Sequence, residues 1–171
     1  MKLKFFGFLG VILCFFSLKI KAQVDIPANP LATLRKGHPR LLVTSIDDFE
    51  QLKKRIPHSD FLTKAQSVLR TKADKFLTEP LNKYTMIPSN YLLNTSRSVL
   101  DRSYTLSMMY RLSGERKYAD RLWLELDNAA KFPDWDIEHF LGAAEMNQAF
   151  AIAYDWLYDV WTPEQKHLIK T

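Results

Sequence analysis

The residues best suited to chemistry lie in one short stretch, where a loop rich in aromatic and acidic side chains leads into an apolar helix. The loop carries Trp135, Asp136, Glu138 and His139. A flat indole ring stacks on apolar surfaces such as the face of a sugar, and a neutral imidazole hydrogen-bonds a hydroxyl or a carboxylate. The stretch therefore predicts a wall for a polar ligand, with Trp135 and His139 as candidate substrate-binding residues.

Two further substrate-binding candidates, Glu145 and Gln148, lie on the helix that follows. They are three residues apart and Asp155 continues their line, so one polar stripe runs along a mostly apolar helix. The stripe either faces a ligand cavity or forms a buried network of hydrogen bonds between helices. Trp135 and His139 have the same kind of alternative, because each could instead anchor the loop by local packing.

The remaining side chains argue against a metal site, a cofactor and a pair of hydrolase carboxylates. The only cysteine is Cys14, and the four histidines are far apart in the sequence with no carboxylate pattern that marks a metal site, so we predict no metal site and no cofactor. A glycoside hydrolase would need two carboxylates that flank a cleft. Glu145 and Asp155 fit that role poorly, because both lie on a helix that we expect to be buried. His38 and Arg40 either bind an anion or tether their segment to the helices.

The elements that must position these residues are helices. Apolar side chains recur with helical spacing and no useful length of sequence alternates as a strand would, so the predicted class is all-α, built from antiparallel helix hairpins in two layers. The fifth helix is apolar on most of its circumference, which predicts burial on nearly all sides. Cap residues and prolines place the helices at about 45–56, 59–78, 92–112, 117–132, 140–158 and from 162 onward.

The first residues predict export. Lys2 and Lys4 precede an apolar run that is too short for a comfortable membrane span, and Ala22 precedes Gln23, which is typical of a cleaved signal peptide over 1–22. We therefore expect no stable membrane anchor after cleavage and a periplasmic or secreted protein of a bacterial envelope. Without the leader, 20 lysines and arginines face 19 acids, and no basic stripe indicates nucleic acid. An extended lead-in is predicted over 23–37.

Four motifs over 38–171 occur in an order that resembles a known family. They are His-Pro-Arg-Leu-Leu-Val-Thr at 38–44, Tyr-Arg-Leu-Ser-Gly-Glu-Arg-Lys-Tyr-Ala-Asp at 110–120, the stretch 135–142, and Ala-Tyr-Asp-Trp-Leu-Tyr-Asp at 153–159 followed by Thr-Pro-Glu-Gln at 162–165. Together they resemble the N-terminal helical domain of heparinase II/III-type polysaccharide lyases. The resemblance implies an incomplete α/α toroid and cleavage of an acidic, uronic-acid-containing polysaccharide, heparin-like or alginate-like, by β-elimination.

That reaction needs a group that neutralises the uronate carboxylate, a base for the neighbouring proton and an acid for the leaving oxygen. In the family these groups come after the helix that begins at Thr162, so we assign no catalytic residue here. We expect an N-terminal fragment that is inactive alone and is completed by a C-terminal part of the same protein. The alternatives are a non-catalytic helical carbohydrate-binding or scaffold protein, and a fragment of an (α/α)6 glycoside hydrolase.

Overall fold

A computed structural model describes residues 28–29, 32–88 and 91–170. The predicted signal peptide lies outside these residues. One compact unit comprises Arg35–Thr171. In the preceding unit, Met1–Leu34, the N–H of Ala32 donates to Asn29 O at 3.1 Å.

The described residues form six α-helices and no strand, which confirms the predicted all-α class. Two single turns of 3-10 helix, Ile56–His58 and Ile137–His139, precede α2 and α5, and an isolated bridge pairs Ile87 with Tyr91. No helix in the described part of the chain is long and apolar enough to cross a bilayer. The helices are α1 (Ile46–Arg55), α2 (Asp60–Thr78), α3 (Leu93–Ser113), α4 (Arg116–Ala130), α5 (Leu141–Trp156) and α6 (Pro163–Lys170).

Local sequence signals set the helix ends. Asp48 accepts the backbone N–H of Ser45 at 3.1 Å in a capping box at the start of α1. Gly114 ends α3 with φ of 73°, a left-handed conformation that glycine adopts without a steric penalty. Thr162 and Gln165 cap α6 reciprocally, each accepting the other's backbone N–H. These boundaries follow the prediction to within two residues.

Helix α3 is the centre of the fold, because α1, α2, α4 and α5 all pack on it, while α6 packs on α4 and α5. The contact between α3 and α5 is the most extensive. Small side chains such as Ser96, Ser103, Ala149 and Ala153 are fully buried there and let the two helices approach closely. The apolar core includes Phe49, Phe76, Val99, Leu106, Met109, Tyr118, Leu122, Leu126, Met146, Phe150, Trp156, Leu157 and Trp161.

A buried ionic network joins α2, α3 and α4. The Glu125 carboxylate is completely buried and accepts hydrogen bonds from the guanidinium groups of Arg102 and Arg121. Arg121 also donates to Phe76 O at 2.7 Å, and Arg102 donates to Pro80 O at 2.8 Å. The network therefore supplies partners for the unpaired carbonyl groups at and beyond the end of α2.

The burial of α5 is less complete than its apolar sequence predicts. Met146, Phe150 and Trp156 are buried, but Asn147 and Gln148 are exposed together with Ala151. The reason is that α3 and α6 leave a strip of α5 uncovered. That strip borders the groove described next.

Candidate functional site

One cavity lies between the loop that follows α4 and the helices α5 and α6. It has a volume of about 510 Å³ and is lined by the aromatic rings of Phe132, Trp135 and Phe150, with Asp134 and Asn147 as polar groups. A smaller hollow of about 240 Å³ shares part of this lining and adds further polar side chains. We call the two together the Trp135 groove. Its shared lining is Trp135, Asn147, Phe150 and Ile169, and the smaller hollow adds Ala151, Tyr154 and Lys170.

The Trp135 indole is held in a fixed orientation. Its Nε1 donates to Ala129 O at 3.1 Å, and its ring packs against Phe150 with the centroids 4.8 Å apart at 52°. The side chain is partly exposed. A ring that is already ordered binds a flat apolar ligand face without losing further rotamer entropy.

Polar groups of both kinds border the groove. Asn147 donates its Nδ2 to Ala143 O at 2.8 Å, which leaves its Oδ1 as an acceptor. Lys131 is paired with Asp127 at 2.5 Å, whereas Lys170 has no carboxylate partner in the described part of the chain. The groove thus offers an acceptor, a carboxylate at Asp134 and a cation that is available to an anionic ligand.

The loop beside the groove is organised by Asp136, whose backbone is left-handed with φ of 57°. Its N–H donates to Asp134 Oδ1 at 2.8 Å, and its own carboxylate accepts the N–H of Leu92 at 3.3 Å and faces His139 Nδ1 at 2.8 Å. Burial alone raises the pKa of Asp136, but the hydrogen bonds from His139 and Leu92 outweigh burial and lower the pKa. Asp136 is therefore a buried, charged anchor.

His139 is oriented by this anchor. Besides its bond to Asp136, the imidazole stacks on Tyr91 with ring centroids 3.3 Å apart at 17°. Its side chain is 42% exposed, and no described residue bonds Nε2. His139 can therefore both pack locally and bind a ligand, because Nδ1 holds the ring in place while Nε2 remains available.

The other two candidates lie elsewhere. Arg97 Nε donates to the Glu145 carboxylate at 3.2 Å, and Gln148 Nε2 donates to Tyr104 Oη at 2.8 Å. Both bonds join α5 to α3, and neither residue lines the Trp135 groove. The structure therefore brings only Trp135 of the four candidates into the groove. Glu145 and Gln148 do join two helices, but Gln148 is exposed, so the stripe is not the buried network of the alternative.

Asp155, near the end of α5, bonds a different part of the chain. Its carboxylate is almost fully buried, faces His38 Nδ1 at 2.5 Å, and accepts the backbone N–H groups of Arg40 and Leu41 at 2.7 and 2.8 Å. The His38 ring also stacks on Tyr158 with centroids 4.0 Å apart. The segment that contains His38 and Arg40 is thus tethered to α5, which was the alternative to anion binding by these two residues.

Sequence reasoning missed Asn147, Tyr154 and Phe132 as groove residues. The first two could have been found, because positions 147, 151 and 154 recur at helical spacing as a second stripe on α5. The role of Phe132 depends on the path of the loop after α4, which no local pattern gives.

Among the described residues, no group of three or more His, Cys, Asp or Glu side chains is arranged to hold a metal ion. No protein-family model matches this chain, and no curated protein has a significantly similar sequence. The resemblance to heparinase II/III-type lyases is therefore carried by the four sequence motifs alone.

Proposed function

We propose that this chain is the N-terminal helical part of a periplasmic or secreted polysaccharide lyase of the heparinase II/III type. In this proposal the Trp135 groove forms one wall of the cleft that binds an acidic polysaccharide. The observation that carries the proposal is the lining of the groove, where an ordered indole ring, an amide oxygen and an available lysine lie along two adjoining hollows. The larger hollow, of about 510 Å³, has a volume typical of ligand pockets, which span about 300–1,000 Å³.

The lining matches the chemistry of a uronic-acid chain. Sugar rings have apolar faces that stack on indole, as Trp135 allows. Their hydroxyl groups donate to acceptors such as Asn147 Oδ1, and their carboxylates favour cations such as Lys170. His139, whose Nδ1 faces Asp136, lies on the same loop as Trp135, and its Nε2 is a further group that can bind a hydroxyl or a carboxylate.

The packing of the helices is compatible with the incomplete α/α toroid that the proposal includes. Sequential helices pack against each other in the pairs α2–α3, α3–α4 and α5–α6, and such hairpins are the units from which an incomplete α/α toroid is built. The proton transfers of β-elimination are then the task of residues that the family carries after the helix corresponding to α6. The described residues bind and position the polysaccharide.

Affinity electrophoresis of the chain in gels that contain heparin, chondroitin sulfate or alginate tests this function. We expect retardation by the acidic polysaccharides and none by neutral dextran. Trp135→Ala should weaken binding roughly tenfold, which corresponds to about 1.4 kcal/mol of lost stacking. Phe61→Ala, which removes an exposed aromatic ring from α2, is the matched control and should leave retardation unchanged. Equal retardation of wild type and Trp135→Ala would contradict the proposal.

A second candidate is a non-catalytic carbohydrate-binding protein, and the same groove supports it. The two are separated by the absorbance of unsaturated uronate products when the full-length gene product acts on a polysaccharide that it binds. Binding without such products favours the non-catalytic protein. The glycoside hydrolase alternative loses support, because Asp155 is saturated by three donors and Glu145 is paired with Arg97.

A further inference from the structure

The outer side of α2 carries an apolar stripe that core packing does not explain. Phe61 is 79% exposed and Val68 is 61% exposed, and with Ala65 they follow the spacing i, i+4, i+7 of a helix contact. The core-facing side of α2 is separate, because Ala73 and Phe76 are the residues that it buries. Contiguous exposed apolar surface on a folded domain marks interaction sites.

Two hollows beside this apolar stripe can accept side chains of a partner. An apolar hollow of about 380 Å³ lies on one side of Phe61 and is lined by Lys64, Ala65, Val68 and Leu69. A second hollow of about 610 Å³ lies on the other side and is lined largely by Lys54, Arg55 and His58. Phe61 lines both hollows and is therefore the ridge between them. We call this surface the Phe61 face.

The cations around the Phe61 face differ from the others on α1 and α2. Away from it, Lys53 pairs with Glu50, Arg70 with Glu115, Lys72 with Asp101 and Lys75 with Glu79. In contrast, Lys54, Arg55 and Lys64 form no ion pair with any described residue, and no carboxylate lines either hollow. The three unpaired cations thus collect around the exposed aromatic ring.

We propose that the Phe61 face is a docking site for an acidic amphipathic helix of a protein partner. Apolar side chains of the partner would fill the hollow beside Val68, and its carboxylates would face Lys54, Arg55 and Lys64. The combination matches helix recognition, in which anchors at i, i+3/i+4 and i+7 give affinity and flanking charges give specificity. A lipid surface fits less well, because a ridge between two hollows offers shape complementarity that a fluid bilayer does not use. This inference is independent of the polysaccharide groove.

The test uses two fluorescein-labelled synthetic amphipathic helices that share leucines at i, i+4 and i+7. Glutamates flank the leucines in one peptide and lysines flank them in the other. Fluorescence anisotropy should show binding of the glutamate peptide to the chain, with the lysine peptide about tenfold weaker because its ammonium groups would face the three unpaired cations instead of pairing with them. Phe61→Ser should weaken the glutamate peptide about tenfold through loss of its apolar anchor.

The decisive variant is the charge reversal K54E/R55E/K64E. It should bind the lysine peptide more tightly than the glutamate peptide, a reversal that mere unfolding of the variant does not produce. Lys83→Glu, at an exposed loop position, is the matched control and should keep the wild-type preference. Equal binding of the two peptides, no binding, or tighter binding to phosphatidylglycerol vesicles than to the glutamate peptide would overturn the proposal.

Discussion

The tether at Asp155 gives the sharpest prediction about stability. The perturbation is Asp155→Ala, compared with the nearly isosteric Asp155→Asn. In the wild type the carboxylate satisfies three donors at 2.5–2.8 Å, from His38 and from the backbone of Arg40 and Leu41. Alanine leaves all three without their partner in a mostly dry site, because the Asp155 side chain is only 4% exposed and the His38 side chain 12%.

The geometry sets the expected magnitudes. Removing one member of a buried charged group of hydrogen bonds costs about 3–5 kcal/mol, which is a large part of a typical domain stability of about 5–15 kcal/mol. Asparagine keeps one oxygen for the two backbone N–H groups and turns its amide toward His38, which can accept through Nδ1 as a neutral ring. We therefore expect Asp155→Asn to cost only about 1–2 kcal/mol, the difference between charged and neutral hydrogen bonds.

Urea denaturation followed by tryptophan fluorescence measures both changes. Trp156 reports on the tether directly, because its Nε1 donates to Leu41 O at 2.9 Å. With a denaturant slope of about 2 kcal/mol/M, the midpoint should fall by roughly 2 M for Asp155→Ala and by less than about 1 M for Asp155→Asn. Asp120→Ala, which removes an exposed ion pair with Arg116, is the control and should cost less than about 0.5 kcal/mol. Equal midpoints for the alanine and asparagine variants would refute the reasoning.

Three more outcomes follow from single contacts. Glu125→Gln should lower the free energy of unfolding by about 3 kcal/mol, measured by thermal denaturation, because it leaves the buried Arg121 guanidinium without its counter-charge and leaves Arg102 with Glu79 alone. Gly114→Ala should cost about 1 kcal/mol from its left-handed backbone alone, since a Cβ there meets no atom within 4 Å. The hydrogen bonds from Lys117 and Arg70 lower the pKa of Glu115 from 4.5 to about 2. An NMR titration should therefore find that midpoint near pH 2, and the stabilisation, complete above the unfolded pKa, should disappear as the pH falls through about 2. Lys117→Met should move the Glu115 midpoint upward, and an unchanged midpoint would contradict the assignment.

The helix types and boundaries were predictable because their causes are local. The capping box at Ser45, the left-handed Gly114 and the Thr162 cap each act within one turn of the helix that they delimit. The amphipathic spacing of α4 likewise predicts its buried side, which includes Leu122 and Leu126. Such signals survive any change in how the helices are arranged.

The buried ionic network was not predictable for the opposite reason. Arg102, Arg121 and Glu125 belong to two helices and meet only after α3 and α4 pack together. In the sequence each looks like an ordinary surface residue, since arginine and glutamate are rarely buried unless they are paired. Only the three-dimensional arrangement shows that Glu125 is completely buried.

Of the groove residues, Trp135 was predicted from the sequence and Asn147 was not, and the geometry of α5 explains the difference. A helix turns by about 100° per residue, so Asn147 points about 200° away from Glu145 and lies on a different stripe. The sequence analysis used only the stripe of Glu145, and which stripe borders a cavity depends on where α3, α6 and the loop with Trp135 pack. In the structure Glu145 and Gln148 are hydrogen-bonded to Arg97 and Tyr104 of α3, while Asn147 lies beside Trp135 in the groove. Substitutions that probe ligand specificity should therefore be made at Trp135 and Asn147, whereas changes at Glu145 or Gln148 should affect the joint between α3 and α5.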